Sequence, residues 1–109
     1  MKIGDIILIP FPYAELTKTK VRPTVVIAET IDKYKDLVVS SISSVVPSEI
    51  SPREILLKPN EINNLRADSI IKVDRIVTLK RTDIIAELGK LSLTELTEFK
   101  NILNSLINN

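Results

Sequence analysis

Residues 69–107, SIIKVDRIVTLKRTDIIAELGKLSLTELTEFKNILNSLI, pass from a period of two to a period of 3.6 within one run, and that change decides the fold. Ser69 to Leu79 reads as a long strand, with Ile70, Lys72, Asp74 and Ile76 on one side and Ile71, Val73, Arg75 and Val77 on the other. A turn at Arg81 to Asp83 leads into a further strand over Ile85 to Leu91. Ser92 then opens a helix. It forms a capping box with Glu95, and Leu91 and Leu96 have the spacing of a hydrophobic staple. Leu93, Leu96, Phe99, Leu103, Leu106 and Ile107 recur along one helical face, which predicts a helix laid on a sheet.

Upstream the pattern is strand-like throughout. Residues 3–9, IGDIILI, are apolar and stop at Pro10-Phe11-Pro12. The polar segment Tyr13 to Val21 follows, and Pro23 biases Arg22 toward an extended backbone at the mouth of a strand over Thr24 to Ala28. A third strand, Leu37 to Val46, is dense in hydroxyls, and alternation sets Ser41 and Ser43 on one face and Ser40, Ile42 and Ser44 on the other. Glu54 to Lys58 gives a short strand, and Asn60 to Leu65 reads as a brief helical turn. Five or six short strands and one amphipathic helix, joined by loops too short for parallel crossovers, predict a mainly β fold with α: an antiparallel small barrel or curled sheet.

Composition narrows the chemistry. The chain has 109 residues, enough for one core, so a single domain over 1–109 is expected. No apolar run nears the roughly 18 residues that span a bilayer, and the start shows no cleavage site, which predicts a cytoplasmic protein without a membrane segment. There is no Cys and no His, so disulfides, thiolate metal sites and an imidazole base are excluded, and no metal or other cofactor is expected. Fifteen basic and fourteen acidic residues leave a net charge of +1, so any site for a polyanion is local. Basic residues gather at Lys18, Lys20 and Arg22, and again at Lys72, Arg75, Lys80 and Arg81.

Four ordered blocks carry a family resemblance. GDIILIPFPYAELTKTKVRPTVVI (4–27), VVSSISS (38–44), LRADSIIKVDRIVTLKRTDI (65–84) and ELGKLSLTELTEFKNILNSLI (87–107) together resemble the MazF/PemK toxins of prokaryotic toxin-antitoxin systems. The resemblance implies an SH3-like barrel with a C-terminal helix, acting as a homodimer that cleaves single-stranded RNA. It also implies a cognate antitoxin protein that blocks the RNA groove.

Cleavage of RNA without a metal proceeds by attack of the ribose 2′-OH on its own phosphate, which needs a proton acceptor, a donor for the leaving 5′-oxygen and cations for the phosphorane. Arg22 suits the cationic role, because a guanidinium binds two phosphate oxygens at once, and it matches the family's Arg-Pro arginine. Ser43 matches a catalytic threonine and Ser44 the serine after it. Asp74 matches an acidic position proposed as general base in some members, and Lys72 one where some carry an arginine. On a regular strand these two lie about 6.5 Å apart on one face, close enough to act on one group. An aspartate is a weak base at neutral pH unless burial raises its pKa. Phe11 and Tyr13 are expected to stack on bases, with Lys18, Lys20, Ser44 and Arg75 as further RNA contacts. Some members use a histidine in the early loop, a role left here to Tyr13, Lys18 or Lys20. The alternative is a degenerate homologue that binds RNA or an antitoxin without turnover. A peptide-binding adaptor is disfavoured, since two Phe and two Tyr are the whole aromatic inventory.

Overall fold

The computed structural model describes residues 1–10 and 21–108. Six strands, β1 (Asp5–Pro10), β2 (Val21–Glu29), β3 (Leu37–Ser43), β4 (Glu54–Leu57), β5 (Ser69–Leu79) and β6 (Ala86–Lys90), precede one helix, α1 (Leu93–Ile107). The strands form a single antiparallel sheet in the order β4-β5-β3-β2-β1-β6. Register shifts between Ile6 and Ile7, Val26 and Ala28, and Ser40 and Ser41 mark bulges, which bend strands and sharpen their twist. The result is a curled half-barrel carrying a C-terminal helix, the fold class that the alternating sequence predicts.

A turn bridges the open seam between β4 and β6. The Lys90 amide donates to the Ile62 carbonyl at 3.0 Å, and Asn64 Nδ2 donates to the Leu88 carbonyl at 2.7 Å. Asn60 to Leu65, expected as helix, is instead held by asparagine side chains. Asn60 Oδ1 accepts from the amides of Ile62 and Asn63, and Asn63 Oδ1 accepts from those of Asn60 and Leu65. Such side chains offer the backbone an alternative to helical bonds.

β2 begins at Val21, three residues before the expected start, and Pro23 lies inside it opposite Leu8. The proline is tolerated because pairing with β3 starts only at Thr24, so its missing N–H faces no ladder there. β3 ends at Ser43, three residues early, where Ser43 Oγ accepts from the Val45 amide at 3.1 Å; Val45 and Val46 lie exposed beyond it. At the far end of the β2–β3 hairpin, Thr30 donates its hydroxyl to Asp32 and holds that carboxylate below its usual range. Arg81, one of the clustered basic residues, bonds Glu29 and the Lys35 carbonyl and so serves the hairpin.

α1 covers one face of the sheet. Phe99 is fully buried among Ile6, Val25, Ile55, Leu57 and Ile71, with Leu96, Ile102, Leu103 and Leu106 packed around that cluster. Each fully buried side chain of this size contributes about 1.5 to 3 kcal/mol. Leu93 and Ile107, expected on the packed face, are exposed at the two ends of the helix, and Ile102 packs in their stead. The capping box is complete, with Ser92 Oγ accepting from the Glu95 amide and Glu95 Oε1 from that of Ser92. Ser92→Ala is expected to cost about 1 kcal/mol, read as a lower urea midpoint at unchanged slope. The opposite face carries a second cluster, Ile7, Ile9, Val26, Leu37 and Val39.

Candidate functional site

The hydroxyl-rich β3 divides its serines among different tasks. Pairing between β3 and β5 passes from Ser41–Lys72 to Ser40–Ile76, so Val73, Asp74 and Arg75 form a bulge outside the ladder. Ser40 is fully buried and donates to the Val73 carbonyl at 2.9 Å, while the Val73 amide donates to the Arg53 carbonyl. Both backbone groups set loose by the bulge are thereby satisfied, as burial requires. Ser40 is structural. Ser41 stands in a cross-strand row between Thr24 and Lys72, and Lys72 is paired in turn with Glu54. The Thr24 hydroxyl in that row is buried and has no hydrogen-bond partner. Unsatisfied buried groups are uncommon in native proteins and concentrate where function imposes them.

The bulge also separates Lys72 from Asp74. Asp74 is exposed and its Oδ2 lies 3.9 Å from Arg53 Nη1, so its ionic neighbour is Arg53, and the burial that a base role calls for is absent. Arg75 is exposed in the same bulge. Ser43 is half-buried, and because its oxygen accepts from Val45, its own hydrogen remains available to donate.

Arg22 and Ser44 are brought together. Where β2 begins and β3 has just ended, a hollow of about 290 Å³ is lined by Arg22, Ser44 and Ser69, together with Val21 and Pro23. A larger cleft of about 600 Å³ adjoins it and shares Val21, Pro23, Ser44 and Ser69. Leu8, Leu65, Ile85 and Leu88 form the apolar wall of that cleft, and Asn64, Arg66 and Ala67 its remaining rim. The two hollows are lined by two guanidinium groups, Arg22 and Arg66, and by no carboxylate. Chemically this is an anion site opening onto an apolar slot. Among the described residues, no group of three Asp or Glu side chains is placed to hold a metal ion.

Sequence reading therefore reached Arg22 and Ser44 and missed Ser69 and Arg66. Their contribution depends on β5 starting beside the end of β3, a non-local pairing with no local signal. Phe11, Tyr13, Lys18 and Lys20 lie outside the described residues.

Comparison with known proteins agrees with this architecture. The model of a family described as PemK-like, MazF-like toxin of type II toxin-antitoxin system matches residues 2–107. No curated protein matches the sequence. Among solved structures, the chain is similar to an endoribonuclease in complex with its cognate antitoxin from Mycobacterial species, at a TM-score of 0.74 and 14% identity, covering 99% of this chain and 95% of that one. It is also similar to the Mycobacterium tuberculosis toxin MazF-mt6, at 0.69 and 15% identity, covering 95% of this chain and 96% of that one. MazF from Deinococcus radiodurans gives 0.69 at 19% identity, covering 100% and 97% respectively. At these identities the structural likeness establishes the fold alone.

Proposed function

The chain belongs to the PemK-like, MazF-like toxins of type II toxin-antitoxin systems, and from that premise we propose that it is an endoribonuclease that cleaves single-stranded RNA without a metal ion and so arrests growth. It acts as a single domain in a homodimer in the cytoplasm, restrained by a cognate antitoxin protein. No helix among the described residues is long and apolar enough to cross a membrane.

The observation that carries this reading is Arg22 beside Ser44 and Ser69 in hollows without a carboxylate. In the reaction the 2′-oxygen bonds to the adjacent phosphorus as its proton passes to a base, and the bond from phosphorus to the 5′-oxygen breaks as that oxygen gains a proton. The products are a 2′,3′-cyclic phosphate and a 5′-hydroxyl. Arg22 holds two non-bridging oxygens and neutralises the charge that accumulates on the phosphorane. Ser44 and Ser43 donate hydroxyl hydrogens to the same phosphate. Lys72 supplies a further positive charge, and Asp74 is the acidic candidate for the base.

A second reading is favoured by one observation. Asp74 is exposed beside Arg53, away from its expected pairing with Lys72, and the chain has no histidine to act in its place. A homologue in that condition binds RNA or antitoxin without turnover. Incubation of the purified protein with a long single-stranded RNA in EDTA separates the two. Discrete cuts bearing 5′-hydroxyl ends are expected of the ribonuclease, and intact RNA that co-migrates with the protein identifies the binding homologue.

A further inference from the structure

We propose that the larger cleft is a base-reading pocket, which takes one unstacked RNA base next to the phosphate held at Arg22, with Ser69, Arg66 and Ala67 deciding which base is accepted. The proposal rests on the RNA reading above and names the part of the chain that would set its sequence preference.

Three features of the cleft point to this occupant. Its volume, about 600 Å³, falls within the roughly 300 to 1,000 Å³ usual for small-ligand pockets. Leu8, Leu65, Ile85 and Leu88 supply an apolar wall, and enzymes that hold an extruded base use apolar or aromatic side chains against its faces. Polar groups sit only at the rim, where a base edge and its phosphate would meet them.

The rim groups are already oriented. Ser69 is buried and donates its hydroxyl hydrogen to the Ala67 carbonyl at 2.9 Å, which leaves the oxygen to accept from a base N–H. Asn64 has spent its Nδ2 on the Leu88 carbonyl, so that side chain is fixed. Arg66 is exposed at the rim and forms no ion pair among the described residues, which suits a second phosphate or the carbonyl edge of a base. Ser44 and Ser69 line both hollows, so a nucleotide with its phosphate at Arg22 directs its base past them into the apolar slot. With two guanidinium groups and no carboxylate along the walls, the occupant is an anion with a flat apolar part, and a nucleotide is that.

The test uses fluorescent 2′-O-methyl hexanucleotides of A, C or U, which lack the attacking hydroxyl and so report binding alone. Anisotropy titrations of the whole chain should rank them, with the best binding about tenfold tighter than the weakest, the difference that one well-held base supplies. Ala67→Leu, which fills the slot from an exposed position, should bring the ranking to within about twofold. Ser69→Ala removes one oxygen, should change which oligomer binds best, and carries the test if Ala67→Leu does not melt like the wild type. Equal binding of all three by the wild type, or a ranking unaltered in the folded variants, overturns the proposal. Cleavage of long RNA by the wild type is scored separately. A ranking lost in Ala67→Leu without any cleavage keeps the pocket and sinks the ribonuclease, whereas cleavage with flat binding does the reverse.

Discussion

Replacement of Arg22 by alanine is expected to lower the rate of RNA cleavage by about 10² to 10³, the usual loss when one electrostatic stabiliser of a developing oxyanion is removed. The size follows from where the charge sits. Arg22 pairs with Ile9 in the β1–β2 ladder, so a rigid strand fixes its backbone, and its side chain lines a hollow that contains no carboxylate. A cation preorganised in this way needs little rearrangement as the phosphorane forms. Arg22→Lys keeps the charge and loses the planar fork, so an intermediate loss of about tenfold is expected. Single-turnover rates on a defined RNA, with melting curves for each variant, check the order. Equal rates for the wild type and a folded Arg22→Ala would remove Arg22 from the chemistry and leave the binding homologue as the better account.

Much of this fold is written locally in the chain, and those parts were legible. The bounds of β5 follow from one uninterrupted alternating run, and α1 from a capping box and staple that lie within five residues of each other. Arg22 was legible for the same reason, because the proline after it extends the strand mouth. What could not be read depends on partners distant in sequence. The bulge at Val73 to Arg75 arises from how β3 meets β5, so the regular alternation that set Lys72 and Asp74 together does not persist there. Ser40 looked like one more site hydroxyl until the Val73 carbonyl, 33 residues away, claimed it. Leu93 and Ile107 have helical spacing but lie beyond the sheet that α1 covers, since periodicity fixes a direction and does not fix how far the opposing surface extends. Ser69 and Arg66 enter the cleft for a reason equally remote from their own neighbours.

Gly89→Ala is expected to destabilise the protein by about 3 kcal/mol, which for a chain of this size lowers Tm by roughly 10 to 20 °C. A Cβ at Gly89 would lie 2.3 Å from the Ile62 carbonyl oxygen and 2.8 Å from the carbonyl carbon and oxygen of Asn63. All three are backbone atoms of the turn that bridges β4 and β6, so no side-chain rotation relieves the overlap. The turn must move away, which stretches the bond from the Lys90 amide to Ile62 and the one from Asn64 to Leu88. Each is worth about 0.5 to 1.5 kcal/mol, and the overpacking itself about 1 to 3. Gly4→Ala is the informative control. Gly4 has a φ of +93°, but its nearest obstacle is the Leu96 side-chain end, which can turn aside, so the cost is the backbone term of about 1 to 2 kcal/mol. Urea unfolding of both variants should therefore place Gly89→Ala well below Gly4→Ala, and the reverse order would mean that the seam is loose. Asn64, Leu65 and Leu88 belong both to this seam and to the wall of the base-reading cleft. A seam forced open by one methyl group should accordingly weaken the ranking of oligonucleotides even at temperatures where the variant remains folded, tying the closure of the half-barrel to the shape of the pocket beside Arg22.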